Sequence, residues 1–150
     1  MVLNMRLLLL LLFTALAWSE TILDSDFATA TVPVAWPSDM TRDLGADIQG
    51  VLPMGWQEDS AWAASKVRYE RLEEEGRAYL AIRPLELAKN ARAQIRYPLG
   101  DLPAGMCQVA ITCRAPQGGR LVVAIKGQGD KTWYGRQDTA VETAWSTETT

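Results

Sequence analysis

The side chains best suited to binding chemistry are two adjacent aromatics in a polar loop. Trp133 and Tyr134 follow Gly127-Gln128-Gly129-Asp130-Lys131-Thr132 and precede Gly135-Arg136-Gln137-Asp138. In extended chain, neighbouring side chains point to opposite sides, so at most one of the two belongs in a core. The other is left in water, where a flat apolar ring can cover the C–H face of a sugar. Polar groups beside such a ring meet the hydroxyls. Gln94, Arg96 and Gln128 are the expected hydrogen-bond partners, with Trp62 as a second platform. Trp36 and Trp56 sit among Pro, Val and Leu and read as core or as clasps at the end of a fold. Trp145 opens a strand and reads as core.

Other chemistries find less support. Histidine is absent, which excludes a Ser-His-Asp or Cys-His nucleophile and histidine-bound zinc. Glycoside hydrolysis needs two carboxylates about 5–10 Å apart across one bond, one of them in a pKa-raising pocket. Glu73, Glu74 and Glu75 are adjacent and read as solvated, while Glu58, Asp59, Glu86 and Asp130 stand in apparent loops. No carboxylate pair follows from the sequence, so no enzyme is expected in this segment. Cys107 and Cys113 fall on one face of an alternating run, and six residues at ~3.3 Å each separate them by about 20 Å. A disulfide needs Cα atoms within ~7 Å, so these two are expected to be unpaired small core residues.

Fifteen Lys and Arg against eighteen Asp and Glu give a net charge of −3 over 150 residues. That is not the basic stripe of a nucleic-acid binder, and no nucleic-acid partner is expected. Residues 1–19 have the build of a signal peptide. Arg6 supplies the charged n-region, an apolar run follows to Leu16, and Ala15-Leu16-Ala17 or Ala17-Trp18-Ser19 offers the small residues of a cleavage site. The run is shorter than the ~20 apolar residues a spanning helix needs, so no membrane anchor is expected after cleavage. The expected location is secreted, periplasmic or cell-surface.

Residues 20–150 read as short strands separated by turn signals at roughly ten-residue spacing, the pattern of an all-β sandwich. Strands are expected at 32–36, 51–56, 77–83, 91–97, 107–113 and 121–125. Gln117-Gly118-Gly119 marks a hairpin turn before Leu121, Val123 and Ile125. Residues 60–75 are rich in helix formers, yet Lys66-Val67-Arg68-Tyr69-Glu70 alternates and Glu73-Glu74-Glu75-Gly76 suits a solvated turn. Residues 67–72 are therefore read as strand, and 61–65 as loop or one helical turn. Ala110, Val122 and Ala124 are small and apolar beside Gln and Arg positions, as the floor of a shallow cleft or a surface under a neighbouring domain. From Val141 a further strand begins and stops at Thr150, which reads as the truncation of a longer polypeptide.

Taken in order, several pieces resemble the jelly-roll carbohydrate-binding modules appended to secreted polysaccharide-degrading enzymes. They are Asp24-Ser25-Asp26-Phe27, the Leu-Pro-x-Gly-Trp segment Leu52 to Trp56, the Gly-x-x-x-Leu-x-Ile segment Gly76 to Ile82, Leu102-Pro103-Ala104-Gly105 before Cys107, and Trp145. The resemblance spans residues 22–150 and lacks the final strands of such modules. It implies an antiparallel β-sandwich that binds plant-type polysaccharide or oligosaccharide without catalysis and targets a downstream glycoside hydrolase domain in the same chain. Such modules often hold a structural Ca²⁺, with an acidic residue just after the N-terminal Phe. Here Ala28 follows Phe27, and Asp24 and Asp26 fall short of the six to eight oxygens the ion takes. An Asx-type turn is the alternative; no cofactor is expected, and a structural Ca²⁺ stays an open alternative without support.

Two further readings stand beside this one. An interaction β-sandwich would pack its Ala/Val face on a downstream domain and have no ligand. A small secreted enzyme would need two carboxylates converging in a pocket.

Overall fold

The computed structural model describes residues 30–38, 40–101, 108–126 and 133–149, with the backbone alone at 133–135. The segment read as a signal peptide, Asp24 to Phe27, Cys107 and Gln128 lie outside them, as do the side chains of Trp133 and Tyr134. Among the described residues the fold is all-β, with no helix. The chain divides into two compact units, Met1–Leu102 and Pro103–Thr150.

In the first unit, β1 (Thr31–Pro33), β2 (Asp47–Pro53), β4 (Lys66–Glu74) and β5 (Arg77–Glu86) form a four-stranded sheet in the order β1-β2-β4-β5, and β3 (Gln57–Glu58) pairs with β6 (Ile95–Arg96). The helix-forming composition of residues 60–75 is overridden by tertiary pairing: 61–64 form turns and bends, and β4 runs on from Lys66. Glu75 (φ 52°) and Gly76 (φ 75°) make a two-residue turn with both residues left-handed, the twist that lets β4 and β5 pair along their length. Leu85 has no partner in the register and forms a bulge, since Val67 faces Pro84 and Lys66 faces Glu86.

β2 changes partners midway. Its first half lies parallel to β4, from Asp47 against Lys66 to Gly50 against Tyr69. Its second half pairs antiparallel with β1, from Val51 to Pro53. This parallel pair departs from the antiparallel sheet expected of the sequence. Gly50 sits at the switch with φ 118°, a conformation L side chains rarely adopt, and its carbonyl accepts from Val34 N at 3.0 Å.

The core of this unit is small. Leu52, Val67 and Tyr69 are 1% exposed or less, and Val34, Ile48, Trp56, Leu80, Ala93 and Ile95 pack around them. Each fully buried side chain of this size contributes about 1.5–3 kcal/mol. The Leu-Pro-x-Gly-Trp segment closes one side. Gly55 (φ 88°) lies under the Tyr97 ring, where a Cβ would come 2.7 Å from Tyr97 Cε2, and Trp56 meets that ring edge-on at 5.5 Å.

The second unit holds β7 (Ala110–Cys113), β8 (Gly119–Lys126), β9 (Trp133–Val141) and β10 (Ser146–Thr149), paired as β10-β7 and β8-β9. A tight turn does form at Pro116-Gln117, with Gly118 N donating to Ala115 O at 2.7 Å. It is not the expected hairpin, because β7 pairs with β10 and β8 with β9. The sequence places a turn here, but long-range pairing decides which strands it joins. Strand structure at 91–97 is likewise shorter than expected: only Ile95–Arg96 pairs, and the residues before it serve as a loop around the buried end of β4. Cys113 is half-buried, and burial pushes its thiol upward from the ordinary thiol pKa.

Candidate functional site

β3 and β6 are two residues long, yet their alternation, carried into the residues beside them, sorts side chains into an inner and an outer set. Gln57 pairs with Arg96 and Glu58 with Ile95, which brings Asp59 opposite Gln94. Gln57, Asp59, Gln94 and Arg96 share the outer face, because residues two apart in a strand point the same way. Arg96 Nε donates to Gln57 Oε1 at 2.9 Å, and Gln94 Nε2 donates to Asp59 Oδ2 at 2.9 Å. The result is a row of two cross-strand polar pairs. Each is half-buried, so the row is partly accessible.

Glu58 and Ser60 point inward and are 1% and 0% exposed. Ser60 is a hydrogen-bonding node. Its amide donates to the Glu58 carboxylate, and its hydroxyl lies 2.8 Å from Tyr69 OH. That hydroxyl also accepts from Gln94 N at 2.8 Å and reaches Gln94 O at 3.1 Å. Tyr69 OH donates to Gln94 O at 2.9 Å, and Asp59 N donates to the same carbonyl at 3.1 Å. The backbone of the outer row thus hangs on a buried polar cluster. A fully bonded cluster of this kind is rigid, because freeing any member strands a polar atom away from water.

Two turns flank the row. Trp62 lies three residues beyond Asp59 and is 42% exposed. The turn carrying it is joined to the 41–46 loop, where Asp43 N donates to Ala61 O at 2.7 Å and Gly45 approaches Ala64. Leu44 at the tip of that loop is fully exposed. A cavity of about 30 Å³ beneath is lined by Val34, Trp36, Arg42, Ile48, Glu58 and Ala61, room for about one water.

Of the residues proposed from sequence, Trp62, Gln94 and Arg96 fall in this unit. Trp62 is exposed as a platform requires, while Gln94 and Arg96 are already bonded to Asp59 and Gln57 and present themselves as pairs. Trp133 and Tyr134 belong to β9 by backbone, at its start beside Lys126 of β8. Gln128 lies outside the described residues. Trp36 is half-buried and donates from Nε1 to Met40 O at 2.7 Å, and Trp145 is half-buried with Arg114 stacked 4.7 Å above it. Ala110 and Ala124 are exposed, and the hollow of about 10 Å³ in this unit opens on the opposite face, beside Val123, Gln137 and Thr139. It is too small for a sugar ring. Among the described residues no group of three or more Cys, Asp or Glu is placed to hold a metal ion.

Compared with family models, curated proteins and solved structures, the chain matches none.

Sequence reading missed Glu58, which stands in a Gln-Glu-Asp run that looks solvated. Burial raises its pKa above the ordinary carboxylate value, while the amides of Ser60 and Ala61 and the Ser60 hydroxyl pull it down. The consequence for stability has a definite sign. The folded protein holds the Glu58 proton more tightly than the unfolded chain, so this contribution is complete below the unfolded value of 4.5 and is lost as pH rises through the raised folded value. We predict that Glu58→Gln flattens that part of the stability profile, read from urea midpoints between about pH 4 and pH 8. A variant whose profile runs parallel to wild type would refute the assignment.

Proposed function

We propose that the chain is a non-catalytic glycan-binding module of the jelly-roll sandwich kind, exported and carried beside a polysaccharide-degrading domain. The observation that carries this reading is the outer row Gln57, Asp59, Gln94 and Arg96 with an exposed Trp62 three residues from its end. Amide, carboxylate and guanidinium groups offer donors and acceptors in fixed planes, which suits neighbouring hydroxyls on a pyranose. Trp62, exposed in the turn that follows, would supply the flat apolar face. On the sequence reading, Trp133 and Tyr134 are further candidate platforms and Gln128 a further hydrogen-bond partner.

The test is affinity electrophoresis of the full chain in gels holding soluble xylan or β-glucan, with Trp62→Ala, Trp133→Ala and Tyr134→Ala alongside. Wild type is expected to be retarded. Loss of the main platform should weaken binding by about 1–3 kcal/mol, by analogy with base stacking on aromatic side chains. Wild type running freely in every gel would sink the binding reading. Folded variants that all match wild type would place the platform on other residues.

A second reading has its own support. On the sheet-edge strand β5, Ile82 is 39% exposed, Leu85 60%, and Leu87 just beyond it 41%. Ile82 stands opposite the fully buried Tyr69, so the apolar face of the sheet runs past its own cover. An interaction sandwich packed on a neighbouring domain would use this edge. Under that reading the free chain binds no polysaccharide, and Ile82→Lys abolishes domain association in the longer polypeptide.

A further inference from the structure

We propose that Glu58 is a positioning residue for sugar binding: its buried carboxylate holds the Trp62 turn and the Asp59–Gln94 pair in place and makes the grip on ligand depend on its own ionisation. The proposal rests on the glycan-binding reading and adds a control element to it.

The geometry runs from the inside out. Glu58 is 1% exposed and cannot itself touch a ligand. Its carboxylate takes a hydrogen bond from the Ser60 amide, and the Ala61 amide favours its charged form. Through Ser60 it is tied to Gln94, whose side chain forms half of the outer pair with Asp59. Through Ala61 it is tied to the residue just before Trp62, and the Ala61 carbonyl holds Asp43 N at 2.7 Å. Trp62 and Leu44, two large apolar side chains left exposed, therefore sit on turns joined at the residue Glu58 fastens.

A carboxylate accepts at two oxygens and donates nothing. A carboxylic acid turns one of those oxygens into a donor. When a proton binds to the oxygen that holds the Ser60 amide, that oxygen becomes a donor facing a donor, and the amide's bond is weakened. The adjoining cavity of about 30 Å³ gives the released group room to move without disturbing the core.

The charged and titratable groups around Glu58 are few. Asp59 is its chain neighbour and repels its charge, and Tyr69 faces it from β4. Arg42 lines the same cavity from the 41–46 loop, which also carries Asp43, and β6 brings the uncharged Ile95 opposite it. Burial moves the Glu58 titration from acid toward neutrality, while stability rises as the proton binds. Affinity and stability are therefore expected to move in opposite directions on acidification, which loss of binding by unfolding would not produce.

The experiment uses the full chain in the xylan and β-glucan gels at a series of pH values from about 8 to 5. Wild-type affinity is expected to fall about tenfold or more across the series, the worth of one hydrogen bond to a charged group. Glu58→Gln should bind weakly throughout and lose the wild-type slope. Tyr69→Phe, which alters the node but not the titrating group, should bind more weakly and retain the wild-type slope. Equal slopes for wild type and Glu58→Gln would overturn the proposal. A second readout needs no ligand: with 5-fluorotryptophan incorporated and the Trp62 fluorine resonance assigned from Trp62→Phe, that line should shift with pH in wild type and not in Glu58→Gln. A shifting line with no retardation in any gel would sink the glycan reading and leave the coupling standing. A line that does not move would sink the coupling whatever the gels show.

Discussion

Gly50→Ala is expected to destabilise the first unit by about 3 kcal/mol or more, through strain and collision together. At φ 118° any L side chain is strained, and a Cβ at Gly50 would fall on the Tyr69 carbonyl, with Tyr69 C and N at 2.8 and 2.9 Å. These are backbone atoms of the central strand, so neither can swing aside. The substitution also strikes where β2 changes from its parallel pairing with β4 to its antiparallel pairing with β1, so relief would cost ladder bonds on both sides. Thermal unfolding followed by near-UV dichroism should show a fall of about 10–20 °C for a unit of this size. Gly76→Ala is the control: it also lies at positive φ (75°), but its Cβ would meet nothing within 4 Å. It should cost only about 1 kcal/mol. Equal losses for the two would mean that the close approach at Gly50 does not matter.

Tyr69→Ala should be still more damaging, at about 3–5 kcal/mol for the lost ring alone. Tyr69 is the largest fully buried side chain, packed with Leu52 and Val67 and opposite Ile82. Its hydroxyl serves Ser60 and the Gln94 carbonyl, so truncation also frees polar atoms that water cannot reach. In a unit with so small a core this reaches the lower end of the about 5–15 kcal/mol that holds a domain folded, and the first unit is expected to lose its cooperative unfolding transition. Tyr69→Phe separates the two effects, keeping the ring and costing about 1–2 kcal/mol for the hydroxyl. Urea titrations of both variants read the difference. A Tyr69→Ala protein with a wild-type midpoint would show that the core lies elsewhere.

Local chemistry made part of this legible in advance. Lys66-Val67-Arg68-Tyr69-Glu70 alternates with period two, and the strand forms despite neighbours that favour helix, because Val67 and Tyr69 bury more on a sheet than propensity can oppose. Glu75-Gly76 reads as a turn because glycine tolerates a left-handed backbone, and the turn is there. The exposure of Trp62 was open in the sequence, which places a large ring in an Ala- and Ser-rich stretch with no period to orient it.

By itself, then, the sequence determined the all-β class and the position of most turns, since both follow from side-chain periodicity and from backbone preferences of one or two residues. Partner choice was decided only in three dimensions. The turn at Pro116-Gln117 forms as its residues require, yet β7 pairs with β10, whose residues lie more than thirty positions away. The change of partner along β2 is likewise invisible until Tyr69 lies against Gly50. The same holds for Glu58, whose neighbours Gln57 and Asp59 suggest a solvated run. Pairing of Glu58 with Ile95 turns alternate residues inward, and Ser60, Tyr69 and Gln94 arrive from three separate stretches of chain to meet them. No local pattern encodes such a cluster, because its stability comes from removing water around groups that meet only after the strands have paired.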